Sequence, residues 1–395
     1  MEPLLQALLW GSVGFVLYVY LGYPLLLVLL AGVWGEKRPF SPQPNAQLPS
    51  VTLIIAAYNE EAVIATKLQN TLALDYPTDK LQIIVAADGS HDATPKIVQQ
   101  FAAQGVLLSF TPLRQGKVAA INRAAAQAHG TILAFSDANN LYTPDTLRQL
   151  VAPFVDPAIG MVSGAKLIMR GDGALGDSEG LYWRYESQIK SWQTALGTTT
   201  GAPGEVMAIR RELFEMVPTT IINDDLYLAL RLIKQGVNVH YTPLARSYER
   251  VSLTAKDEML RRTRMVSGHF QLMSLGWQLL PLRRPLIAWH IVSHKYARPL
   301  VPLAMVGALI GNVGLLFINV DLFCVILFAA QVGVYGRAWL GNRGWINGRL
   351  AYLPTFLVNS NRAALHGLCQ FLCGQPIHQW QRVGRRKLKA KQPIS

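Results

Sequence analysis

Charge is what this sequence has least of. Only 15% of its 395 residues are Asp, Glu, Lys or Arg, while 51% are hydrophobic. A soluble domain carries about 25% charged residues, so part of the chain belongs in lipid. Cysteine is scarce too. Cys324, Cys369 and Cys373 are all there is, all in the apolar C-terminal third. An odd count in greasy segments gives neither a disulfide framework nor a zinc spacing. Cys369 and Cys373, one helical turn apart, read as packing residues. Negative charge is the scarcer sign, 24 acidic against 37 basic residues, a net charge of +13. The bases crowd beside apolar segments (Lys37 and Arg38, Arg283 and Arg284, the tail "RVGRRKLKAK"). That placement fits an anionic membrane face. Basic motifs interleaved with aromatics are absent, which argues against nucleic acid as a partner.

Residues 3–35 hold no charge at all. A membrane span needs about 20 apolar residues, so residues 1–36 read as an uncleaved transmembrane anchor. Lys37 and Arg38 follow it, which places the N-terminus outside and the next domain in the cytoplasm. Residues 37–50, with "PFSPQPNAQLPS", form a proline-rich linker. From 51 to 280 strand-like runs alternate with helical stretches: "VTLIIAAY", "LQIIVAAD", "GTILAFSD", "GMVSGAKLIM". This alternation predicts an α/β domain with a parallel-rich sheet. Residues 281–298 read as an interfacial segment, and 299–340 as a transmembrane hairpin turning at Asp321. Residues 341–395 read as an interfacial or re-entrant segment followed by a basic cytoplasmic tail. The whole is a multi-pass protein of the cell (inner) membrane, in contact with membrane lipids.

Four polar stations interrupt the α/β region. "IIVAADGSHDAT" ends a strand on Asp88, where Gly89 allows a tight turn and Asp92 or Thr94 caps the next helix. Asp88 is equally well read as a turn former. "RQGKVAAIN" starts a helix near Gly116 and Lys117. A lysine there opposes the helix dipole by about a few tenths of a kcal/mol; an anion such as a diphosphate removes the conflict, and so does plain solvent. "TILAFSDANN" ends a buried strand on Asp137, Asn139 and Asn140. Asp137 and Asn139 project two oxygens to one side of an extended segment, a geometry that suits Mg²⁺ or Mn²⁺ and also an ordinary turn. "NDDLYLALRL" puts Asn223, Asp224 and Asp225 at a helix start, where acids serve as caps or as a general base. "GDGALG" (171–176) has dinucleotide-loop spacing but comes after four strands, too late for that role. It reads as a flexible loop.

Taken together these stations resemble the membrane-bound family 2 glycosyltransferases, the group of the cellulose, chitin, hyaluronan and poly-N-acetylglucosamine synthases. "AAYNEE" resembles their Y-N-E opening, with Ala57 where Pro is usual. "DGS" resembles their nucleotide-binding acid, "GKVAAIN" their Gly-Lys helix start, and "DAN" stands where they have D-x-D. "GAPGEVMAIRRELF" resembles their acceptor-side loop, "NDDLYLALRL" their T-E-D helix with Arg231 as its later match, and "RRTRMVSG" stands in place of Q-x-x-R-W. Arg261 therefore replaces Gln, and Met265 replaces Trp.

The resemblance implies a GT-A fold and inverting transfer from a nucleoside diphosphate sugar, UDP-linked. It implies that Tyr58, Glu60, Asp88, Lys117 and Asp137 bind the donor and that Asp137 and Asn139 hold Mg²⁺ or Mn²⁺. It implies Asp225 as the catalytic base, with Asp224, Arg261, Arg264 and Met265 closing over the donor or holding the acceptor. A growing polysaccharide is the first acceptor it suggests. Transfer of one sugar to a lipid or lipid-linked acceptor is the alternative, favoured by Met265, and a non-catalytic nucleotide-binding scaffold is a third reading.

Overall fold

The computed structural model describes residues 1–36, 39–169, 172–252, 254–345 and 352–374. Lys37, Arg38 and the basic tail lie outside them. One sheet of eight strands organises the catalytic region: β1 (Val51–Ala57), β2 (Leu81–Asp88), β3 (Val106–Thr111), β4 (Ile132–Asp137), β5 (Asn140–Tyr142), β6 (Ile159–Ile168), β7 (Met207–Arg210) and β8 (Asn238–Glu249). Their order is β3-β2-β1-β4-β7-β6-β8-β5. The first four are parallel, β7 runs antiparallel between β4 and β6, β8 is parallel to β6, and β5 antiparallel to β8. The sheet is thus parallel-rich and mixed.

All seven residues of β1 are buried, because both faces of this half carry helices and apolar side chains fill both sides. Two cores result. Ile54, Ile84, Leu133 and Phe135 join one, and Leu53, Ile55, Val85 and Ala134 the other. In the parallel register Ala57 pairs with Ala87 and Ala56 with Asp137. The chain therefore leaves β1, β2 and β4 at one edge, bringing Tyr58, Asp88 and Asp137 together there.

The sequence pattern had shown four of these strands. The others carry weaker signals: β3 lies at the sheet edge with alternating exposure, and β8 contains Pro243. "GDGALG" is not a loop. A helix runs Gly173–Ala195, and Asp172 precedes it with a buried carboxylate that accepts from Arg250 and from the Val251 amide. Gly173 takes φ +73°, which glycine permits, and the ion pair at Asp172 fixes the turn.

Among the described residues three helices are long and apolar enough to cross a membrane: Glu2–Trp34, Pro285–Ile318 and Leu322–Asn342. The second is one run, so the segment 281–298 and the first arm of the hairpin merge. Gly307, Gly311 and Gly314 let it approach the N-terminal helix: a methyl built at Gly311 would sit 2.9 Å from the Leu9 nitrogen. Close packing of small residues substitutes for the hydrophobic drive that lipid removes. Polar contacts then tie the two to each other and to helix Gly173–Ala195. Tyr18 Oη and Ser293 Oγ lie 2.6 Å apart across 275 residues of sequence, Trp289 Nε1 donates to Tyr18 Oη, and Gln193 Nε2 donates to Tyr23 Oη.

Helix Leu353–Leu372 packs along helix Ala255–Ser274, with Gly367 close to the Thr263 carbonyl and Phe371 stacked on Phe270. Its buried side is Thr355, Asn361, Ala363, Ala364 and Gly367. Cys369 and Cys373 are exposed, so the expectation that they pack fails; Cys324 is buried among Leu9, Ala308 and Leu315.

Candidate active site

A cleft of about 290 Å³ opens at the carboxyl edge of β1 and β4 and runs toward helix Pro285–Ile318. Glu60, Lys117, Asp137, Asn139, Asp224, Asp225, Arg261, Arg264 and Met265 all line it. Tyr58 and Asp88 do not. Asp88 is buried and accepts from the amides of Gln115 at 2.9 Å and Gly116 at 2.7 Å, so it fixes the loop whose far side faces the cleft. Two glycines make this turn possible. Gly89 has φ +63° and lies against Arg114, and Gly116 caps its helix at φ 97°; side chains there would be strained. Tyr58 lies under the Arg114 guanidinium, 3.8 Å from ring centre to Cζ.

Lys117 opens helix Lys117–Ala125 and donates to Asp137 Oδ1 at 2.8 Å. The conflict between lysine and helix dipole is thus met by an anion of the chain itself. Burial works against the charged lysine, yet the Asp137 and Asp224 carboxylates hold it above the ordinary lysine range. Behind Asp137, Lys67 is completely buried, donating to Ser136 Oγ at 2.7 Å and Asn140 Oδ1 at 3.2 Å. Burial pushes its pKa down to about 7, with Asp137 and Glu205 opposing. Asn140 in turn donates to the Glu205 carbonyl and Ser247. The polar run after β4 therefore divides: Asp137 and Asn139 face the cleft, and Asn140 is a core strut.

Across the cleft, helix Asp224–Lys234 starts with Asn223 as its cap. The Asp225 carboxylate is oriented by two backbone donors, Gly204 N at 2.9 Å and its neighbour Leu226 N at 2.7 Å. "GAPGE" (201–205) is thus a cleft wall that aims the acid. Burial pushes the Asp224 carboxyl upward, Lys117 opposes this, and the repulsion of Asp225 adds to it. Asn223 Nδ2 donates to the Met265 carbonyl, which links this helix start to helix Ala255–Ser274. On that helix Arg261 is held by Glu258 at 2.7 and 3.1 Å and reaches Met265 Sδ at 3.4 Å. Arg264 makes no hydrogen bond or ion pair among the described residues; burial lowers its pKa while Asp224 opposes. Arg231 points elsewhere, pairing with Glu215.

Sequence reading missed the inner end of the cleft. Lys166 is paired with Glu205 at 2.7 Å and with Glu249, and lies 5.0 Å from the Trp183 ring centre. Glu186 pairs with Arg298 and lies 3.1 Å from His294. Lys190 and Lys295 stand beside them, and His269 completes the lining. Lys166 lies on β6 and Glu249 on β8, Glu205 ends "GAPGE", and the others are brought in by helix packing.

Asp137 and Asn139 also pass a chemical test for a divalent ion. Both offer oxygen to the cleft, and the crowding of Asp137, Asp224 and Asp225 that raises Asp224 is what added positive charge relieves. Among the described residues no three His, Cys, Asp or Glu form a metal cluster, so such an ion would take further ligands from phosphate and water.

Residues 52–217 match the family model described as glycosyl transferase family 2. The chain is 27% identical over 290 residues to the beta-monoglucosyldiacylglycerol synthase of Trichormus variabilis, covering 69% of this chain and 59% of that protein. It is 28% identical over 229 residues to the poly-beta-1,6-N-acetyl-D-glucosamine synthase of Staphylococcus aureus, covering 56% and 55%. The chain thus spans less than two thirds of these curated relatives. Among solved structures, the mannosyltransferase from Pyrobaculum calidifontis, in complex with GDP-Man and Mn²⁺, superposes with a TM-score of 0.70 at 24% identity, covering 95% of this chain and 99% of that one. Fold, cleft and family match agree: residues 52–217 form a glycosyl transferase family 2 domain, and the fold around them is GT-A.

Proposed function

We propose that the protein transfers a single sugar, with inversion, from a nucleoside diphosphate sugar to a lipid or lipid-linked acceptor at the membrane face. The observation that carries this is the cleft itself: Asp225 stands in it opposite Lys117 and Asp137, and Lys295 of the long apolar helix Pro285–Ile318 reaches its inner end. Asp225 takes the proton of an acceptor hydroxyl, whose oxygen attacks the anomeric carbon. The bond from that carbon to the diphosphate oxygen breaks, and its electron pair leaves with the nucleoside diphosphate. Lys117 and Arg264 lie where they can bind the diphosphate charge. A divalent ion, when bound, would be held by Asp137 and Asn139 and would add to the neutralisation of the leaving group. UDP is the first nucleotide to test, on the family resemblance. With Lys and Arg flanking the three apolar helices, the catalytic domain faces the cytoplasm.

Met265 supports single addition, since it offers apolar contact without an aromatic platform for a sugar chain. The polysaccharide reading keeps one support, the extended similarity to the poly-beta-1,6-N-acetyl-D-glucosamine synthase. Purified protein in nanodiscs, given a panel of UDP- and GDP-sugars, decides between them through nucleotide release and product mass. One added hexose on a lipid is the expected result. A ladder of long products would favour the polymer, and no nucleotide release from any donor would remove both.

A further inference from the structure

At the inner end of the cleft two ammonium groups touch no acid among the described residues. Lys166 is satisfied by Glu205 and Glu249, and Arg298 by Glu186, which also has His294 beside it. Despite its burial, Arg298 holds the Glu186 carboxyl well below the usual range, so that acid is fully committed. Two ammonium groups remain. Lys190, only 6% exposed, has the Tyr241 ring at 5.5 Å and makes no hydrogen bond or ion pair among the described residues. Lys295 likewise makes none, and its Nζ lies against the backbone of Gly201, where a built methyl would meet it at 3.6 Å. Both line the cleft. Burial first, then the like charge of Lys295, lowers the Lys190 pKa to about 8. Glu186 and Asp225 attract both ammonium groups from beyond hydrogen-bond distance, and two desolvated like charges without an anion in contact are unfavourable.

We infer that Lys190 and Lys295 form an anion subsite for a phosphate group on the acceptor. The inference rests on the transfer reading above and names its acceptor class. The scale is right. Lys295 touches Gly201 and Asp225 is held by Gly204, three residues on, a reach of roughly 10 Å at most. A phosphate bound here therefore places a hydroxyl a few bonds away at the base. The lysines come from two elements, helix Gly173–Ala195 of the sheet domain and helix Pro285–Ile318, so the subsite lies where a lipid head group meets the catalytic cleft. A neutral glucan chain would leave both charges unmet.

The test uses the full chain with UDP and Mg²⁺ at saturation, which closes the donor site to phosphate. One arm measures inorganic phosphate binding by calorimetry. The other measures phosphatidic acid retained by the protein from phosphatidylcholine nanodiscs, with and without that lipid. Lys190→Met and Lys295→Met should each weaken binding by roughly tenfold or more, as expected for a lost charge-assisted hydrogen bond, and Lys190→Arg should restore most of it. Binding in the lipid arm alone identifies a lipid head group, and binding in the first arm alone a soluble phosphate compound. No phosphate binding by the wild type, or binding unchanged in the double methionine variant, overturns the subsite. The two readings fail separately: phosphate binding with no sugar transfer from any donor removes the transferase mechanism and keeps the subsite, whereas transfer without phosphate binding does the reverse.

Discussion

The two ends of the cleft are built on different principles. The outer end is local: Asp88, Lys117 and Asp137 stand at the ends of strands or starts of helices, and backbone geometry aims each of them. The inner end is assembled from distant elements, so Glu186 meets Arg298 across 112 residues and Lys166 meets Glu249 across 83. A site built from strand ends needs only its sheet. A site built from buried ion pairs needs every helix seated, because a lone buried charge costs far more than the pair gains.

The sharpest contrast comes from removing one acid at each end. Asp225→Asn should keep the fold and nucleotide binding and lower turnover by roughly 10²–10⁴, measured as nucleotide release; near wild-type turnover would take Asp225 out of the mechanism. Glu186→Leu should act on stability instead, leaving Arg298 buried without its partner at a cost of about 3–5 kcal/mol. Thermal unfolding in detergent reads this, and an unchanged midpoint would make the inner network dispensable.

Metal dependence probes the outer end. Excess EDTA should abolish transfer, and Asn139→Asp should lower the Mg²⁺ or Mn²⁺ concentration needed for half activity. Full activity in EDTA would refute the assignment.

His269 gives the inner end a pH signature. Burial pulls its pKa down to about 4, so the folded protein keeps it neutral while the unfolded chain takes up a proton near 6.5. Its stabilising contribution is complete above about 6.5 and is lost as pH falls toward 4. His269→Gln should flatten the melting temperature over that window; an identical pH profile would show that other groups govern it.

The smallest effect concerns Met265. Aromatic stacking adds about 0.5–1.5 kcal/mol, so Met265→Trp should prolong acceptor residence roughly threefold to tenfold and raise the share of multiply glycosylated product. Long polymer from the unmodified protein would show that this position does not limit chain growth.

The same contrast explains what could be read from the sequence. Asp137, Asn139, Lys117 and Asp225 were legible because a strand end or a helix cap fixes where a side chain points within a few residues. Asp88 was legible as a strand-ending acid, but its bonds to Gln115 and Gly116 depend on a loop 27 residues away. Lys67, Lys190 and Lys295 were not legible, since a lysine in an amphipathic helix looks the same whether it faces water or a buried acid. "GALIG" (307–311) did carry a signal, two small residues one turn apart in an apolar run, and its meaning appeared only with Leu5 and Leu9 packed on it. "GDGALG" misled because spacing alone cannot reveal that Asp172 has an arginine waiting at Arg250.

The contact between Tyr18 and Ser293 also has a meaning in time. Its halves are 275 residues apart, and at synthesis rates of about 5–20 residues per second the first helix waits roughly 14–55 s for the second to be made. During that interval Tyr18 lacks Ser293 and Trp289, Tyr23 lacks Gln193 until 170 further residues are made, and Gly307 and Gly311 are not yet present to be packed against. The sheet domain is completed within the same interval. The sheet domain therefore leaves the ribosome before its partner helix exists, and the inner end of the cleft closes only once Lys295 and Arg298 have been made.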